Sequence, residues 1–171
     1  MTELVLQPTT TAHWHSLLME AQGQCAHALS EPLESYLVFL LMRYTENVEI
    51  AQSVLAIEYL ESHQLRSGSM QKHSLQQVGD KCLLFSGLFP ERAERKLVSC
   101  EYFIAMGQGA YLSLADLQLE NLGELFQGLS AHFLTLTQVL RATRKISQQQ
   151  ENTAWANILA ADFAGKDKQH N

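Results

Sequence analysis

The run from Leu33 to Tyr44 constrains the fold of this chain more than any other stretch. Leu33, Tyr36, Leu37, Leu40, Leu41 and Tyr44 recur at steps of three and four, the spacing of one helix face. Val38, Phe39 and Met42 fill the remaining faces. A helix apolar on nearly every side has little to offer water, so it belongs at the centre of a helical bundle or against a second copy of the chain. Its start is marked by Ser30-Glu31-Pro32: a capping hydroxyl, an acid in the first turn, and proline where a helix tolerates it. Its longest uninterrupted apolar run, Tyr36 to Met42, spans only seven residues. A bilayer span needs roughly 18.

Around this helix the chain repeats the same logic. After a short mixed arm ending near Pro8, the residues Trp14, Leu17, Leu18, Ala21, Cys25 and Ala28 form one amphipathic stripe, with Thr10 or Thr11 available as a cap. Thr45-Glu46-Asn47 can cap a further helix from about Val48 to Ser62, and His63 to Ser69 has loop composition. Leu75, Val78, Cys82, Phe85 and Phe89 align on a helix over about 70–89 that Pro90 should stop, because proline disfavours helical backbone in the residue before it. Ser99 can cap the next helix, which carries Tyr102, Phe103, Met106, Ala110 and Leu114.

Two capping-box patterns, at Ser113–Asp116 and Asn121–Glu124, place a break between them. A single helix is expected from near Leu122 to about Ile146, ending in Arg141, Arg144 and Lys145, as the helix dipole prefers. A polar linker then leads to Trp155, Ile158, Leu159 and Phe163 on one face of a short helix. The expectation is an all-α, single-domain bundle of about six core helices over 1–146. A linker and amphipathic docking helix over 147–165 and a disordered tail over 166–171 follow.

Bulk properties narrow the function classes. At 171 residues the chain is long enough for a real core without a disulfide or metal staple. A net charge of −6, with the twelve Lys and Arg scattered, argues against nucleic acid or an anionic membrane as partner. Cys25, Cys82 and Cys100 form an odd set with no CxxC, which reads as buried reduced thiols in a reducing compartment. The amino-terminal MTELVLQP lacks the basic and apolar regions of a signal peptide, so a cytoplasmic location is expected.

No motif announces a reaction. His13 and His15 are two apart, which points them in different directions on a helix, and Cys25 with His27 fails likewise. No closed Cys/His or HExxH spacing occurs, so no metal or other cofactor is expected; a haem held by one histidine leaves no spacing signature and stays as a minor alternative. Ser86-Gly87 lies in a helix with no strand before it, and Gly107-Gln108-Gly109 lacks the strand and third glycine of a dinucleotide fingerprint.

The stretch Val78 to Tyr111 gathers what chemistry there is. Helix-interior glycine costs about 1 kcal/mol against alanine, so Gly107 and Gly109 need a reason. Gly79, Cys82 and Ser86 likewise form a small-residue line. Close approach of two helices supplies one reason. A ligand slot lined by Tyr102, Met106 and Tyr111 supplies another. Asp80 and Lys81 sit in an apolar half-helix and must face solvent or find partners. Arg92 or Arg95 folding back on Asp80 would make a structural ion pair. Alternatively Arg92, Arg95 and Lys96 would form an anion-recognising patch at the head of the next helix.

The run GDKCLLFSGLFPERA, with the later SCEYFIAMGQGAY, resembles a stretch found in a family of small uncharacterised all-helical bacterial proteins. The resemblance covers about a fifth of the chain and implies the helical fold but no activity. From the residues, two functions are expected in order. The first is a non-enzymatic helical module that binds a protein partner or a small ligand and forms a homodimer. The second is an enzyme or carrier of a small anionic ligand, with a pocket between the helices at 70–89 and 99–115. Its site candidates are Asp80, Lys81, Arg92, Arg95, Tyr102, Met106, Gly107, Gly109 and Tyr111.

Overall fold

The computed structural model describes residues 10–46, 68–91 and 99–149. Within them lie six helices and no strand: α1 (Thr10–Gln24), α2 (Glu31–Glu46), α3 (Ser69–Leu88), α4 (Cys100–Leu117), α5 (Glu120–Ala131) and α6 (Phe133–Gln149). The expected helix at 48–62, the connector at 92–98 and the docking helix and tail beyond 149 lie outside the described residues. The all-α bundle is the observed architecture.

α3 is the axis. It packs along α4 on one side and α6 on another, while α1 bridges α6 and α2, and α5 lies across α4 with a lighter contact to α2. Leu75, Val78, Cys82, Leu83, Leu84, Phe85 and Leu88 of α3 are all buried, and each fully buried large aliphatic side chain stabilises by roughly 1.5–3 kcal/mol. The small residues explain how α3 gets so close to its neighbours. A Cβ built at Gly79 would lie 2.5 Å from the Tyr111 ring, and one at Gly107 would lie 2.9 Å from Cys82 Cβ and closer still to Phe133. A Cβ at Gly87 would meet Leu140 at 2.6 Å. These glycines admit rings and leucines against bare backbone. The close-packing account therefore holds for Gly79 and Gly107. Gly109 differs, with nothing within 4 Å of its would-be Cβ.

Helix ends follow the local chemistry in part. α3 stops at Leu88, with Phe89 out of helical geometry before Pro90. The Ser99 side chain accepts from the Tyr102 amide, capping α4. The C-terminal carbonyls of α3 are met from α6: Arg141 Nε donates to Ser86 O at 3.1 Å, and Arg144 donates to the Leu88 carbonyl. α1 ends four residues short of the expected Ala28, because Ala26 adopts a left-handed φ of 54° that turns the chain toward α2. Buried Gln22 then fastens the α1–α2 corner, accepting from the Leu29 amide and donating to Glu34.

Two expectations are corrected. The long helix from Leu122 is two helices, broken at His132, although neither glycine nor proline stands there. The backbone hydrogen bonds His132 N to Gly128 O and Leu136 N to His132 O carry on across the bend, both at 2.9 Å. The apolar stripe simply changes partner, from α4 and α2 along α5 to α3 and α1 along α6. Nor does α5 use the Asn121 capping box. It starts at Glu120 with Leu119 as N-cap and no side-chain cap bond. Gly123 sits so tightly under the end of α4 that a Cβ there would be 3.3 Å from the Ala115 and Gln118 carbonyl oxygens.

Candidate functional site

Asp80 takes hydrogen bonds from three side chains. It lies on α3 only 5% exposed, flanked by Gly79 on the face that receives Tyr111. Tyr36 of α2 and Tyr111 of α4 both donate their hydroxyls to Asp80 Oδ1, at 2.5 and 2.7 Å. Arg43 Nη1 of α2 donates to Oδ2 at 3.3 Å, and Gln76 Nε2 donates to the Tyr36 hydroxyl at 3.3 Å. One carboxyl group thus ties three helices together. The rings around it are layered: Tyr111 stacks on Phe126 with centroids 6.0 Å apart, and Tyr36 meets both edge-on.

The electrostatics follow from burial. Loss of water pushes the Asp80 carboxyl above its ordinary range, while the two tyrosine hydrogen bonds and the charges of Arg43 and His73 pull against that rise. Burial and the neighbouring Asp80 charge push both tyrosine hydroxyls up, so they remain protonated donors. Lys81, half-buried on α3, is lowered by burial. Within the cluster, Tyr36 also lines an open groove between α2 and α5. A carboxyl with both oxygens engaged and two locked donors holds helices in place.

The sequence-level candidates therefore separate. Asp80 and Tyr111 come together. Tyr102 is exposed on α4, nine residues before Tyr111, or about 13 Å along a helix axis. Met106 and Gly109 border a shallow dent of about 360 Å³ between α3 and α4, lined also by Gln71, Leu75, Ala110 and Ser113. No titratable side chain lines it. Gly107 is consumed by packing against Phe133. Arg92 and Arg95 lie outside the described residues; among the described residues Arg43 is the cation paired with Asp80. Tyr36, Arg43 and Gln76 were missed. A signal did exist: Tyr36 and Arg43 are seven apart, so they share one face of a helix whose positions between them, Leu37 to Met42, are all apolar.

The larger open feature is a groove of about 750 Å³ between α2 and α5. Its floor and walls are Pro32, Leu33, Tyr36, Leu125 and the bare backbone at Gly128, and Phe39 and Leu122 stand at its mouth. The two helices run antiparallel, since Leu33 touches Gly128 and Tyr36 meets Phe126. Phe39 is 59% exposed and Leu122 52%. Leu119, three residues before Leu122, is 84% exposed and extends the apolar surface past the groove. The Tyr36 ring lines this groove while its hydroxyl reaches inward to Asp80. The buried cluster thus sets the position of one groove wall.

Among the described residues no group of three or more His, Cys, Asp and Glu comes together as metal ligands, and no helix is long and apolar enough to cross a membrane. Comparison with protein-family models, curated proteins and solved structures finds no match.

Proposed function

We propose that this protein is a non-enzymatic helical interaction module, and that the groove between α2 and α5 is its binding surface. One observation carries the reading: Phe39 and Leu122 stand exposed on either side of a large open groove whose walls are mainly apolar. Apolar side chains gathered on an open surface mark protein contacts more often than scattered single ones do. The Asp80 cluster supports the same reading from the other direction, because its carboxyl is spent on holding α2 in place.

A homodimer through the whole of α2 has less to recommend it than the sequence suggested. Leu33, Leu37, Val38, Leu40 and Leu41 are buried within the chain itself, and among the described side chains of that helix Phe39 is the large exposed apolar one.

The test uses a neutral apolar dye such as Nile red, whose fluorescence rises in an apolar site. Phe39→Ser combined with Leu122→Ser should lower dye binding severalfold while thermal stability stays within a few degrees. Unchanged dye binding in a folded double variant would overturn the assignment of the groove.

A further inference from the structure

We infer that the groove between α2 and α5 receives a cationic amphipathic helix from a partner protein. The inference rests on the reading of the groove as the binding surface and adds the chemistry of the occupant. Shape supplies the first half of the argument. An open channel between two antiparallel helices, with apolar Pro32, Leu33, Tyr36, Phe39, Leu122 and Leu125 interspersed with polar side chains, takes a third helix through anchors at i, i+3, i+4 and i+7. Gly128 contributes no side chain to the floor, and Phe39 and Leu122 form the two lips at the other end.

Charge supplies the second half. No Lys or Arg is among the lining residues. Glu124 lines the groove and is exposed, Glu31 adjoins its Ser30–Pro32 end, and Glu120 adjoins its Asn121–Leu122 end; both of these are exposed as well. Because α2 and α5 are antiparallel, the acids stand at both ends of the channel. Arg43, one turn beyond Phe39, is directed at Asp80. A partner helix with Lys or Arg flanking its apolar face would meet an acid at each end.

The same acids weigh against the other occupants. Two copies of this chain paired across the groove would set acid against acid, and like charges facing each other across an interface cost affinity. An anionic lipid surface meets the same repulsion. The net charge of −6 acts in the same direction at longer range.

The experiment uses fluorescein-labelled synthetic helical peptides of about 18 residues, long enough to hold a helix in the groove. All share leucine anchors at i, i+3, i+4 and i+7, and their flanks carry Lys, Gln or Glu. Binding to the full chain is read by anisotropy. The Lys peptide should bind at least ~10-fold more tightly than the Glu peptide, and the difference should shrink as salt rises from about 0.05 to about 0.5 M. Glu31→Lys with Glu124→Lys should reverse the preference, and Phe39→Ser with Leu122→Ser should remove binding of every peptide.

Two failures are distinct. Peptides that bind equally whatever their flanks, yet lose binding in the Phe39/Leu122 variant, would overturn the cationic partner and leave the groove standing. Binding indifferent to the Phe39/Leu122 variant would overturn both. Tighter association with phosphatidylserine vesicles than with the Lys peptide, or a dimer in sedimentation that the Phe39/Leu122 variant abolishes, would replace the partner helix by a membrane or by a second copy.

Discussion

Replacing Asp80 with alanine removes the acceptor for two buried hydroxyls at once, and the consequence can be worked from the geometry. Tyr111 is wholly buried, and the Tyr36 hydroxyl reaches in to the same oxygen. Each orphaned buried donor costs about 1–3 kcal/mol. Deleting the carboxyl also relieves the desolvation of a buried charge, which offsets part of that loss. The net expectation for Asp80→Ala is a loss of about 3 kcal/mol, or about 6–12 °C in Tm for a domain of this size.

Asp80→Asn separates the two contributions. Its amide oxygen can accept from both tyrosines while the charge is gone, and the Arg43 side chain that loses its partner is 52% exposed and solvated. The asparagine variant should therefore stay within about 1 kcal/mol of the parent. Urea unfolding followed by circular dichroism at pH 7 measures both variants. An alanine variant as stable as the parent would refute the tether. An asparagine variant as damaged as the alanine one would show that the charge, and not the acceptor, holds α2.

Four further outcomes follow from the same structure. The Asp80 carboxyl is raised in the folded state, so the folded chain holds that proton more firmly than the unfolded chain. Its contribution favours folding most at low pH and is lost as pH rises from the ordinary carboxyl range, near 4, through the folded value. Asp80→Asn cannot titrate, so its stability relative to the parent should climb over that window; a flat or falling difference in unfolding measured across pH would contradict the assignment. Gly107→Ala should destabilise by about 1–3 kcal/mol through overpacking against Phe133 and Cys82, whereas Gly109→Ala, with open space at its Cβ, should stabilise by about 0.5–1 kcal/mol through helix propensity. Chemical denaturation of the pair checks both signs. Ala26→Gly should gain about 0.5–1 kcal/mol, because Ala26 occupies a left-handed φ of 54° that glycine takes without strain; a loss of stability would refute that. Gly79→Ala should cost more than Gly109→Ala by at least about 1 kcal/mol, since its Cβ would press on a tyrosine that Asp80 holds fixed.

Local chemistry in the sequence reached far into the fold and only a little way into the site. The apolar stripes on α1 to Ala21, on α2 to Leu41, on α3, and on α4 from Phe103, with the Ser99 cap and the stop at Pro90, are set by neighbouring residues and appear in the structure. The bend at His132 carries no local mark, because it arises where one stripe leaves α4 for α3. Similarly, Gly107 and Gly109 look alike in sequence. Only the arrival of Phe133 beside one of them makes the first indispensable and the second replaceable.

The site was less legible for a related reason. Asp80 stood out as a charge in an apolar helix, but its tyrosine partners lie 44 and 31 residues away along the chain. Charge clustering pointed to Arg92 and Arg95, which lie outside the described residues; among the described residues Arg43, on another helix, stands beside Asp80. Phe39 presents the same difficulty in reverse. Within the apolar run from Tyr36 to Met42, no local pattern singles out the aromatic ring that stays in water.

Two parts are joined here: a buried carboxyl that fixes the Tyr36 wall, and an open groove against that wall, proposed as the binding surface. Amide chemical-shift mapping of the isotope-labelled chain during titration with the Lys-flanked peptide tests both most directly. The account predicts shifts concentrated in residues 30–39 and 121–132, with Tyr36 among the largest. Shifts concentrated instead at the α3–α4 dent, in residues 71–75 and 106–113, would contradict it.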